Sequence, residues 1–340
     1  TVPYTLSLHD ALPIWGSRAL ATADLRRGYR LQELLEVVTD YGNLGAFEEA
    51  IELLAQAEEA KGPYASPLLK YYAGYYRLRQ GNSGVARALF ALAAQMPVDL
   101  CFPFRHEELA MLEQAAGLCP SDANTWYYLG NLTYYLEQRE RGIDAWERAV
   151  ALQPAHGLAL RNLGFAYSRI PEKHGRAVTC YQAAVQADPQ NVAPVLELDK
   201  LQEKRGARAT DRLAFLESRM GTVQRSDPAM LRLAYLYNET GQFDKALAIL
   251  TTRRFHVWEG AAALHQPFVD ACLLRGLAQL EAGKAAAALM DFKAANTYPE
   301  NLQAGRPGDA GQAPKVHYYM AQAYRELGQP VQAEAELRRA

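Results

Sequence analysis

The chain has 340 residues, with 36 Lys and Arg against 38 Asp and Glu, for a formal net charge of −2. That balance leaves no footprint for nucleic acid or an anionic membrane surface, and no run approaches the roughly 18 apolar residues that cross a bilayer. The four cysteines, Cys101, Cys119, Cys180 and Cys272, are scattered and form no CxxC. This argues against a disulfide framework or metal cluster and predicts reduced, buried thiols.

Residues 1–14, TVPYTLSLHDALPI, show neither a helical nor a strand repeat, and His9 and Asp10 interrupt the only candidate for a secretory apolar run. The ten residues 5–14 match, codon for codon, one reading frame of a common short-read sequencing adapter, ACTCTTTCCCTACACGACGCTCTTCCGATC. The expectation is that 1–14 are an assembly artefact without order, and that the genuine chain, 15–340, is cut at both ends. The compartment is left open.

From residue 31 onward, small and aromatic residues recur at helical spacing. Gly45, Ala50, Leu54 and Ala57 mark a first unit; Gly74, Gly81, Ala86, Phe90 and Ala93 mark a second. A half-unit follows at 106–120. The clearest copy is 123–154, ANTWYYLGNLTYYLEQRERGIDAWERAVALQP. In it Trp126, Leu129 and Gly130 form one helical stripe and Gly142, Trp146 and Ala149 a second, with Pro154 closing the unit. Leu160, Leu163, Gly164 and Tyr167, then Ala177, Tyr181, Ala184 and Pro189, repeat it, the first helices 34 and the second helices 35 residues apart. A divergent unit occupies 192–225. Tyr237, Gly241, Ala246 and Leu250 mark the next, Gly276, Gly283, Ala288, Phe292 and Ala295 another, and Tyr324, Gly328, Ala333, Leu337 and Ala340 the last.

This spacing and residue set resembles the tetratricopeptide repeat, a helix-turn-helix of 34 residues. The resemblance implies an all-α, right-handed superhelix of about seven to eight units over most of 31–340. In each unit the small residues let two helices cross closely, as Gly130 does against Gly142, while Trp146 or Tyr181 is expected to fill the gap to the next unit. The divergent unit carries Asp199 and Arg212 at the two small-residue places, which predicts an ion pair inside the hairpin.

In such a stack the first helices line a concave trough. Its predicted lining is Tyr71, Tyr75, Leu78, Tyr127, Asn131, Tyr134, Arg161, Phe165, Ser168, Leu231, Tyr235 and Asn238. Tyrosine rings with a few amides suit a protein, a peptide or a carbohydrate rather than a polyanion.

Two connections, 255–268 and 299–314, are longer than the repeat requires and join second helices to following first helices one unit apart, so they should meet on one rim. That rim would gather His256, Trp258, Glu259, His265, Glu300, Asn301 and Arg306, with His317, Tyr318 and Tyr319 at the next helix start. No HExxH, paired-metal spacing or nucleophile motif accompanies them. No catalytic residue, metal ligand or cofactor is therefore assigned, and a docking surface for another domain or a ligand is the expectation.

The succession CFPFRHEELAMLEQA, WYYLGNLTYY, RNLGFAY, LELDKL, RRFHVWEG, YPENLQAGRP and KVHYYMAQAYRELG is similar to the C-terminal helical half of large bacterial proteins. In these, a β-rich domain similar to galactose mutarotases precedes the repeats. The match spans about residues 25 to 340, with a departure at 261–263, where Ala stands in place of a further Gly and Glu. The resemblance implies a carbohydrate-linked multidomain protein in which these repeats form an interaction scaffold that docks the β domain. The alternative it leaves open is the helical half of a carbohydrate-active enzyme, with Glu259 or Glu300 reaching into a site the β domain completes.

Overall fold

The computed structural model describes residues 31–60, 66–98, 101–256, 264–303 and 313–340. Residues 1–14, Trp258, Glu259, Arg306 and the departure at 261–263 lie outside the described residues. Among the described residues there are eighteen α-helices, two 3-10 turns and no strand. The chain divides between Tyr167 and Ser168 into two compact units.

The first unit begins with α1 (Leu31–Asn43) and α2 (Phe47–Ala60), followed by α3 (Pro67–Arg79) and α4 (Ser83–Ala94). The half-unit is one helix, α5 (His106–Leu118); then come α6 (Ala123–Tyr135), α7 (Arg139–Leu152) and α8 (Gly157–Ser168). The second unit contains α9 (His174–Ala187), α10 (Val192–Lys204), α11 (Ala209–Glu217), the short α12 (Met220–Val223), α13 (Asp227–Glu239) and α14 (Phe243–Thr252). It continues through α15 (His265–Glu281), α16 (Ala285–Ala295), α17 (Ala313–Glu326) and α18 (Pro330–Leu337).

Side-chain caps set several helix starts: the Asp122 carboxylate accepts from the backbone N–H of Asn124 and Thr125 ahead of α6, and Ser66 does the same for α3. α5 is capped from within. The buried Glu108 carboxylate accepts from the N–H of Phe104 and Arg105.

Helix pairs are closed by tight turns, six of which place a glycine at positive φ, for example Gly81 at 82° and Gly283 at 72°. The α6/α7 turn instead uses Glu137, at φ 61°, a conformation that costs an L-residue about 1 to 2 kcal/mol. The crossings follow the small-residue pattern. A Cβ on Gly130 would lie 2.4 Å from Trp146 Cδ1, and one on Gly276 2.4 Å from Phe292 Cε1. Trp146 thus fills the space over Gly130 within its own hairpin, and its indole bonds Asn131, which reaches Asn162 of the next.

The divergent hairpin contains the expected ion pair. Arg212 Nε and Nη2 donate to the two oxygens of Asp199, at 2.9 and 3.3 Å, with Asp199 0% and Arg212 3% exposed. Arg232 of α13 joins them: its Nε donates to Asp199, and its Nη2 lies 2.7 Å from Glu203. Arg212 also meets Glu203 at 3.1 Å, so two arginines share two carboxylates across three helices.

Among the described residues the four cysteines form no disulfide. Cys101 and Cys272 are buried as expected, but Cys119 and Cys180 are partly exposed. Burial pushes the Cys101 thiol up to about 11 and that of Cys272 to about 12, so neither is a nucleophile at neutral pH.

Candidate functional site

The structure separates the trough residues into two groups. Tyr71 is fully buried: its hydroxyl bonds Thr125 Oγ1 at 2.8 Å and Asp122 Oδ2 at 3.2 Å, and its ring packs on Phe90 and Tyr128. Tyr127 is buried with its ring 4.8 Å from that of His156, and Asn238 is buried with Nδ2 donating to Pro267 O at 2.9 Å. These three tie helices together and line no open surface. Each is covered because a first helix in a stack has packed neighbours on more than one side.

The second group is partly exposed. In the first unit, Asn131 Oδ1 accepts from Trp146 Nε1 at 3.0 Å and from Asn162 Nδ2 at 2.8 Å. Both bonds fall on the oxygen, so the amide orientation is fixed and its Nδ2 hydrogens stay uncommitted among the described residues. Tyr134 lies beside this amide, its ring 5.0 Å from Trp146 and 6.3 Å from Phe165, which remains 40% exposed. Arg161, half-buried, precedes Asn162 on α8. The arrangement is a fixed amide donor beside an open aromatic surface. Asn162 was not singled out in the sequence, because the residue one 34-residue repeat after Asn131 is Phe165.

Tyr75 stands apart from this cluster, under the Arg79 guanidinium at 5.9 Å from its ring centre. Tyr235 of the second unit is half-buried, and its phenol is raised above the ordinary tyrosine range, first by burial and then by Asp270.

The two long connections do meet, and Asn301 joins them. Its Nδ2 donates to Leu250 O and Arg253 O, both at 2.8 Å, and its carbonyl accepts from Phe255 N at 3.0 Å. Asp227, at the start of α13, anchors the same stem: its oxygens accept from Arg253 Nε at 2.7 Å and His256 N at 2.8 Å. Burial raises the Asp227 carboxyl, but the bonds from His256 and Arg253 outweigh it and hold the group below its usual range.

His256 and Glu300 are exposed, and Tyr318 is 46% exposed with its hydroxyl accepting from Gln322 Nε2. His265 is withdrawn from the surface, stacked on Tyr298 at 3.9 Å with Nε2 against Thr297 O. His317 turns to Glu336 of α18. Among the described residues no group of three or more His, Cys, Asp or Glu is placed to hold a metal ion, and no helix is long and apolar enough to cross a membrane.

The fold defines a class: an all-α protein built, among the described residues, of successive helix-turn-helix hairpins. No family model matches the chain. Among solved structures it is similar to YrrB, a tetratricopeptide repeat protein described as having an unusual peptide-binding site. That match has 19% identity over 54% of this chain and 90% of that one, with a TM-score of 0.41. A tetratricopeptide repeat protein from Parabacteroides merdae is 18% identical over 86% of this chain and 98% of its own, with a TM-score of 0.36. A Naa15/Naa10 assembly bound to HypK is 17% identical over 68% of this chain and 33% of that one, with a TM-score of 0.47.

Proposed function

We propose that this chain is a protein-interaction scaffold that binds an extended peptide segment at Asn131, Asn162, Tyr134 and Phe165. The supporting observation is the Asn131 amide, whose oxygen is taken by Trp146 and Asn162. An amide held in that way offers its N–H groups to a peptide carbonyl without first losing rotamer freedom. The exposed Phe165 ring beside it supplies apolar contact for a neighbouring side chain. Arg161, Tyr75 and Tyr235 are secondary candidates.

The test is selection of a random peptide library on the immobilised chain, followed by titration of the enriched peptides. Affinity should fall at least tenfold in the Asn131→Ala/Phe165→Ala variant. Enriched peptides that bind this variant as well as the parent chain would refute the assignment.

The rim carries a second reading, a docking surface for a protein domain through His256, Glu300 and Tyr318. It is favoured by Asn301, which holds the stems of the two connections in one place. Pull-down of a candidate domain by the chain and by a Glu300→Ala/Tyr318→Ala variant decides it; equal capture rejects the rim.

A further inference from the structure

A cleft of about 600 Å³ lies on the first unit between α6 and α7, away from the Asn131 amide. Leu129, Ala145 and Ala151 form its apolar lining, together with Trp126. The indole is held in place by Nε1–H donating to Pro120 O at 2.9 Å, and the Arg148 guanidinium stacks 4.5 Å from the ring centre. Along this face α7 presents Arg141, Asp144, Glu147 and Arg148, of which Glu147 accepts from the Tyr167 hydroxyl.

Elsewhere in the protein, contacts between neighbouring helices are edged by acid–base pairs that cross from one helix to the next. Arg77 of α3 meets Glu48 of α2 at 2.6 Å, Lys70 meets Glu58 at 2.7 Å, and Arg275 of α15 meets Asp244 of α14 at 2.6 Å. In the cleft, Arg141 is matched in the same way by Glu113 of α5. Arg148 and Asp144 form no ion pair among the described residues, although they sit one turn apart on one helix. The cleft thus has an apolar floor and edging charges like those of the helix–helix contacts elsewhere in the protein.

We propose that this cleft seats an amphipathic helix of a partner protein. Its apolar stripe lies on Trp126 and Leu129, with an acidic residue against Arg148 and a basic residue against Asp144. Small residues at Ala145 and Ala151 allow close approach of the incoming helix. A guanidinium stacked on an indole keeps its in-plane donors open to a carboxylate, so Arg148 is arranged to take a bidentate partner. The seat is independent of the Asn131 surface, and either can fail without the other.

The probe is a fluorescein-labelled 16-residue amphipathic peptide with Glu and Lys placed to oppose Arg148 and Asp144, followed by anisotropy with the whole chain at low salt. Saturable binding is expected, weakened at least tenfold by Arg148→Glu and by Ala151→Arg, which fills the cleft. All three substituted residues are exposed, and circular dichroism melts verify that the variants fold. A peptide with Glu and Lys exchanged should bind the Asp144→Arg/Arg148→Glu variant better than it binds the parent chain. Absent saturation, or equal binding of both peptides to the parent chain, overturns the proposal. So does concentration-dependent self-association that Ala151→Arg abolishes, since a second copy of the chain would then be the occupant.

Discussion

Two hairpins solve the same crossing with opposite chemistry. At α6/α7 the close approach is made by Gly130 and Gly142 and sealed by Trp146, all within one hairpin. At α10/α11 the equivalent places hold Asp199 and Arg212, which pair with each other, and Arg232 from α13 donates to the same Asp199 carboxylate. An apolar crossing is complete in itself. A buried ionic crossing needs further partners to offset desolvation, and so it makes one hairpin depend on the next.

The largest way to break the comparison is Trp146→Ala, which leaves a cavity over Gly130 and should cost about 3 to 5 kcal/mol, read from denaturant unfolding. Asp199→Ala should come close to it, at about 3 kcal/mol, because two arginines lose a shared buried carboxylate. The two differ in a double-mutant cycle. Asp199→Ala and Arg212→Ala should couple by about 1 to 3 kcal/mol, and additive losses would show that the charges do not act as a pair.

A smaller change sharpens the other hairpin. Glu137→Gly should stabilise the chain by about 1 kcal/mol, since glycine occupies the left-handed turn without strain and the exposed pair with Arg139 contributes little. A neutral or destabilising melt would show that Glu137 makes a contact that compensates the strain.

The smallest effect concerns the clamp at Asp227. Its folded carboxyl lies below the ordinary value of 3.8, so its contribution is fully present above that pH and is lost as pH falls below it. Asp227→Asn should flatten the acid limb of the stability curve below pH 3.8; an unchanged limb would remove the clamp from the acid response.

The repeat was legible because it rests on side-chain volume. Only small residues fit where Gly130, Gly142 or Gly276 stand, and the turns need residues such as Gly81 at positive φ. The Asp199–Arg212 pair was legible for the same reason, as two positions that should be small carried opposite charges. Arg232 was not, because its partners lie on another hairpin.

The trough was legible only in part. Helical period assigns Tyr71, Tyr127 and Asn238 to the same face as Tyr75 and Asn131, but it does not say which part of that face a neighbouring helix covers. Asn162 was passed over because its neighbour Arg161 falls on the predicted face. Contact between the two long connections followed from their order in the chain, whereas the Asn301 amide that fastens them depends on backbone positions no periodicity encodes.

That fastening gives the second unit a built-in clock. The Phe255 amide hydrogen is committed to the Asn301 carbonyl, while the Asn301 side chain grips the chain on either side of Thr252. Exchange of this one hydrogen with solvent deuterium requires the clip to let go, but not the helices to unfold. Its protection factor therefore times the release of the rim separately from the melting of the helices beneath it.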